Sequence, residues 1–100
     1  MKEYRFYVPI VRATGRQLHE RRQWDRFQSY LVDTFGGFTE GSTVVGKQQN
    51  DRGVVDQTAV EYTVSTDDPN REILLGLVDV IKRLFDQPSV YVAIGDSQIL

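Results

Sequence analysis

The apolar residues of this chain switch between two spacings, and the order of the switches admits few folds. From Glu3 to Val11 the period is two: Tyr4, Phe6, Val8 and Ile10 fall on one side, Arg5, Tyr7, Pro9 and Val11 on the other. That alternation, rich in aromatic and β-branched residues, predicts a strand with one buried face. Pro9 has no amide hydrogen for a ladder, so it belongs near the strand's end or at a bulge. Arg12 to Arg16, with Gly15, reads as a connecting loop. From Gln17 to Phe35 the period lengthens. Trp24, Phe27, Leu31 and Phe35 share one helical face, with Arg22, Arg26, Ser29 and Asp33 opposite. A helix with one apolar stripe must lay it on something. Gly36-Gly37 ends the helix, because glycine takes the left-handed conformation at little steric cost.

Period two then returns twice, over Phe38 to Gln49 and Val54 to Ser65. Asn50-Asp51-Arg52-Gly53 between them has hairpin-turn composition, with Gly53 suited to positive φ. The first segment is polar and dotted with glycine, which suits an edge strand. In the second, Val60, Tyr62 and Val64 oppose Ala59, Glu61 and Thr63. Asp67-Asp68-Pro69 reads as a helix start, Asp68 capping the exposed amides and Pro69 in the first turn. The stripe Ile73, Leu74, Leu77, Val78, Ile81, Leu84 and Phe85 follows, and Pro88 bars the helix from passing Asp86 or Gln87. Val90, Val92 and Ile94 form a last strand stopped by Gly95-Asp96, with Ile99 and Leu100 as a short extension.

Two right-handed crossovers joined by a hairpin predict an α+β fold, a ferredoxin-like β-α-β-β-α-β sandwich. Its antiparallel sheet runs fourth, first, third, second, with both helices on one face. The 100 residues suffice for one such domain over 1–100, and no repeat or linker interrupts it. Without cysteine there is no disulfide, thiolate nucleophile or Cys-based metal site. No apolar run approaches membrane-spanning length, and the N-terminus goes straight into alternation, so the expected location is the cytoplasm. Net charge is −2, unevenly spread. Residues 1–26 hold seven basic against three acidic side chains, and the remainder five against eleven. The basic end offers Arg12, Arg16 and Arg22 as a site for a small anionic ligand, against the plainer reading of a solvated loop and helix face.

The sheet face away from the helices is the expected functional surface. It carries Arg5, Tyr7, Pro9, Val11, Glu61, Thr63, Tyr91 and Ala93. A partly apolar open face usually finds a partner, so the leading expectation is a binding or regulatory domain that forms a homodimer through Tyr7, Val11, Glu61, Thr63 and Tyr91. The alternative is a small enzyme or ligand carrier whose pocket forms between that face and a partner subunit. There Glu61 could serve as a base once desolvated. Nucleic acid is disfavoured, since the stretch Ala59 to Val64 is acidic where base-stacking modules are basic. His19, at the start of the first helix, is expected to be exposed. Neither cofactor nor metal is implied: Gly36-Gly37-Phe38-Thr39 lacks the lysine of a phosphate loop, and Glu40, Asp51 and Asp56 lack calcium-loop spacing.

Gln23-Trp24-Asp25-Arg26-Phe27, Thr34-Phe35-Gly36-Gly37-Phe38-Thr39 and Phe85-Asp86-Gln87-Pro88-Ser89-Val90 together resemble a family of small bacterial proteins of unknown function. Members run from a strand into a W-x-x-F helix, an F-x-x-G-x-T turn and an F-x-Q-x-S-V entry to the last strand. The resemblance spans nearly the whole chain and implies the same fold, without implying an activity. It departs in the hairpin, where the pattern has G-x-W and this chain has Gly46-Lys47-Gln48-Gln49. The same residues have structural work: Trp24, Phe27 and Phe35 as core anchors, and Gln87 and Ser89 as side chains that bond backbone at a helix-to-strand junction.

Overall fold

Strand β1 (Lys2–Pro9) pairs on both sides, which makes its alternation the organising pattern of the molecule. The computed structural model describes residues 1–11, 18–50, 53–67 and 70–96. In chain order β1 is followed by α1 (Arg21–Phe35), β2 (Thr39–Asn50), β3 (Gly53–Thr66), α2 (Arg71–Leu84) and β4 (Val92–Asp96). All pairings are antiparallel and the sheet order is β2-β3-β1-β4. This is the ferredoxin-like arrangement that the sequence periods predict. In the registers Phe6 lies opposite Tyr62 and Val92, and Tyr7 opposite Glu61.

Tyr4, Phe6 and Val8 of β1 and Tyr62 and Val64 of β3 form one buried cluster with Phe27 and Leu31 of α1, Leu77 and Ile81 of α2, and Phe85 just beyond it. Both helices therefore cover the same face. Phe6, Phe27, Tyr62 and Phe85 are fully buried, each worth about 1.5–3 kcal/mol against exposure. Their rings meet edge-on or stacked: Phe6 and Tyr62 stack at 5.8 Å, and Phe27 meets Phe85 edge-on at 5.2 Å. Gly36 ends α1 at φ 81°, its N–H donating to the Val32 carbonyl.

Several boundaries depart from expectation. Helix α1 begins at Arg21, four residues later than Gln17, because Gln23 Oε1 accepts the Glu20 N–H at 2.6 Å and fixes the first turn there. Helix α2 is capped by Asn70, whose side chain accepts from the Ile73 N–H at 2.8 Å, while Asp68 and Pro69 lie outside the described residues. Strand β4 starts at Val92 and runs through Gly95-Asp96, which pair with Glu3 and Lys2 instead of stopping the strand. Ile94, expected in the core, is 57% exposed. It lies on a five-residue edge strand, outside the set of apolar residues packed on the core.

Strands β2 and β3 continue beyond the end of β1. The β1–β3 ladder stops at Pro9 opposite Ala59, whereas the β2–β3 ladder runs six further pairs, from Val45–Thr58 to Asn50–Gly53. Gly53 closes the turn at φ 111°, a conformation that glycine alone adopts without strain. At about 3.3 Å per residue this two-stranded arm elongates the molecule, whose principal extents are 45 × 26 × 24 Å.

Candidate functional site

Two surfaces concentrate chemistry-bearing side chains. The first is the open sheet face. Alternation and the observed registers place Glu3, Arg5 and Tyr7 of β1 beside Glu61 and Thr63 of β3 and Ala93 of β4. The rings of Tyr7 and Tyr91 lie 5.9 Å apart, inclined at 33°. Arg5 Nε is 3.5 Å from Glu61 Oε1, and its Nη2 is 3.8 Å from Glu3 Oε1. These ion pairs are half in solvent and contribute little to stability. Tyr91 is 66% exposed and precedes the ladder of β4.

Of the residues that the sequence singles out, Tyr7, Glu61, Thr63 and Tyr91 do come together on this face. Val11 does not join their ladder. It forms an isolated bridge with Leu18, past the last residue of β1, and its carbonyl accepts from Gln87 Nε2 at 3.1 Å. Gln87 is buried and also donates to the Phe85 carbonyl at 2.9 Å, so it ties the end of α2 to the exit of β1. Arg22 is exposed on α1, its Nε 2.8 Å from Glu20 Oε2. Arg12 and Arg16 lie outside the described residues.

The second surface is a cleft on the helix side of the sheet. It measures about 410 Å³ and lies between the start of α1, the strands β2 and β3, and the residues Ile10 and Leu18. Tyr62 forms its floor, Trp24 and His19 stand against one another at one wall, and Ile10, Leu18 and Val60 complete the apolar lining. Glu40 and Gln28 supply the polar edge. His19, expected to be exposed, is buried. Its ring packs edge-on against Phe85 at 4.9 Å and Trp24 at 5.9 Å, and its backbone N–H donates to the Ile10 carbonyl at 3.1 Å. Because α1 starts only at Arg21, His19 belongs to the chain that crosses the helix end, and this places it inward.

The Tyr62 hydroxyl donates to Glu40 Oε1 at 3.0 Å, and Gln28 Nε2 donates to the Tyr62 oxygen at 3.3 Å and to Glu40 Oε1 at 3.5 Å. Burial pushes the Tyr62 phenol up to about 12, and the Glu40 carboxylate adds to the rise. At neutral pH this phenol therefore keeps its proton and acts as a donor, not a base. Gln23 fixes the rim through Nε2, which donates to the Leu84 carbonyl at 2.8 Å. The described residues contain no group of three or more His, Cys, Asp or Glu placed to hold a metal ion.

The ordering of strands and helices defines the class, an α+β sandwich of ferredoxin-like type. Among solved structures, the chain is similar to the divalent cation tolerance protein CutA1 from Thermus thermophilus, with a TM-score of 0.65 and 13% identity over 97% of this chain and 84% of that one. It is similar to CutA1 from Ehrlichia chaffeensis, with a TM-score of 0.63 and 8% identity over 99% and 82%. A phage SAM lyase in its apo state matches with a TM-score of 0.62 and 17% identity over 94% and 78%. At these identities the likeness is one of fold. No protein-family model matches the chain, and no curated protein matches it in sequence. None of the described helices is long and apolar enough to cross a membrane.

Proposed function

We propose that this chain is a cytoplasmic binding or regulatory domain that works as a homodimer joined through the open face of its sheet. One observation carries the reading. The Tyr7–Tyr91 ring pair and Ala93 lie on the face opposite both helices, and no element among the described residues covers them. Water against these rings is costly, and a second copy of the same face offers matching rings to bury them. The Arg5–Glu61 pair on the same face supplies charges of both signs, which a twofold partner meets in reverse order.

Sedimentation equilibrium tests this. The native chain, of 11.5 kDa, is expected to show twice its monomer mass at roughly tens of micromolar. Tyr91→Lys is expected to return it to the monomer mass with an unchanged far-UV spectrum, since Tyr91 lies outside the ladder. A monomer mass for the native chain sinks the proposal.

A second reading is an enzyme or ligand carrier whose pocket closes when a partner covers Tyr7, Glu61 and Tyr91. What favours it is that this fold also serves a phage protein described as a SAM lyase. Stabilisation of the native chain by S-adenosylmethionine, lost in Glu61→Gln, is the outcome that would prefer it.

A further inference from the structure

We propose that the cleft floored by Tyr62 is a binding site for an organic ammonium compound with an apolar or aromatic body. The inference goes beyond self-association through the sheet face and uses none of that face's residues.

Three observations lead to it. First, at about 410 Å³ the cleft has the size of a small-ligand site. Second, its apolar lining, with Ile10, Leu18 and Val60, includes one firmly held π surface, Trp24. The Trp24 and Tyr62 rings are nearly parallel, 24° apart, with centroids 6.4 Å from each other. Trp24 is held in turn by Phe85 at 4.7 Å and His19 at 5.9 Å. Tyr62 is itself fully buried and backs Trp24, which is only partly buried, so the Trp24 ring is the π surface that an organic cation could reach, and such a surface attracts positive charge.

Third, the polar edge has the sign that a cation needs. Glu40 is the only carboxylate among the described lining residues, and none of them is Lys or Arg. Its two hydrogen bonds, from Tyr62 and Gln28, both fall on Oε1. A carboxylate has acceptor capacity for about four hydrogens, so these bonds orient the group without saturating it. The Tyr62 hydroxyl is already committed to Glu40 and offers no donor to an incoming anion. An ammonium head would therefore sit at Glu40 with its body against Trp24, Leu18 and Val60. A carboxylate head on the same body would meet the Glu40 charge directly.

Trp24 is the single tryptophan of the chain, so its fluorescence reports on the cleft alone when tryptophan is excited selectively. The probes are 3-phenylpropylamine and 3-phenylpropionate, which share a body and differ in the sign of the head, titrated at matched ionic strength. The amine is expected to change Trp24 emission saturably and the carboxylate to leave it unchanged. Glu40→Gln keeps the hydrogen-bonding shape and removes the charge. Because Glu40 is exposed on strand β2, the fold should survive, as far-UV dichroism would verify. This variant is expected to weaken amine binding by about tenfold, the loss of one charge-assisted contact. The proposal is overturned by any of three results: no saturable response to the amine, equal binding of the carboxylate, or unchanged amine affinity in Glu40→Gln.

Discussion

Tyr62 packs against Phe6, Phe27, Phe38 and Trp24, and its hydroxyl is the one polar atom that this ring carries into the core. Because burial raises its pKa from 10.0 to about 12, stability acquires a pH dependence of known sign. Between those values the folded chain holds a phenolic proton that the unfolded chain has released. The stabilisation is complete below the unfolded value of 10.0 and is lost as pH rises towards about 12. The urea midpoint of the native chain should fall from about pH 9 to about pH 11, with a Tyr62 share of at most about 1.4 kcal/mol per pH unit. Tyr30, also raised by burial, contributes to the same slope, so Tyr62→Phe is the discriminating variant. At neutral pH that variant forfeits the hydroxyl's hydrogen bonds to Glu40 and from Gln28, together about 1–2 kcal/mol. In alkali its midpoint should decline less steeply than that of the native chain. Parallel declines would assign the slope to other groups. The sequence showed Tyr62 as a core residue but gave no sign of the partners of its hydroxyl. Gln28 and Glu40 come from a helix and an edge strand, and no spacing along the chain links them. His19 escaped for the same reason, since the Phe85 ring that buries it arrives from the far end of α2.

At the level of elements, the six segments were legible because each announces itself by a local period, and a period survives whatever the segment packs against. Their ends were less legible. Gln17 to Glu20 look helical by composition, yet the pairing of Gln23 with the Glu20 N–H fixes the start of α1. Asp67-Asp68-Pro69 looks like a cap, yet Asn70 does the capping. Caps depend on one side chain's geometry, and several neighbours compete for the part. The hairpin poses a different question. Both strands are long, but only the stretch of β3 from Ala59 onward has β1 alongside it. Two strands without a third are marginal in water, so the arm from Val45 to Gln57 should open by itself while the rest of the sheet stays closed. In native-state hydrogen exchange, amides of Val45 to Lys47 are expected to lose protection well before those of Val60 to Val64, which lie in the centre of the sheet. Equal protection across the two groups would mean that the arm is supported by contacts outside a single chain.

For the whole molecule, one face of the sheet is covered by two helices and the other is left with a tyrosine pair, and the proposed association rests on this asymmetry. The open face could be read from the sequence because strand parity alone assigns Tyr7, Glu61 and Thr63 to it. Parity failed only for Val11, which lies beyond the ladder that parity describes. The cleft stayed hidden because it is a property of the assembled layers: its floor, wall and edge belong to β3, α1 and β2. Association through the open face would couple folding to concentration. A homodimer that unfolds to two separate chains gains stability by mass action as the protein is concentrated, so its melting temperature rises with concentration, whereas that of a monomer does not. The native chain should show such a rise over a hundredfold range of about micromolar to about hundred-micromolar protein. Tyr91→Lys should flatten the dependence, while at the dilute end the two proteins should melt within a few degrees of each other. Glu40→Gln, on the other side of the sheet, should leave the rise intact. A native chain whose melting temperature ignores concentration would remove the dimer from the account, and the ammonium site would stand or fall separately on its own titration.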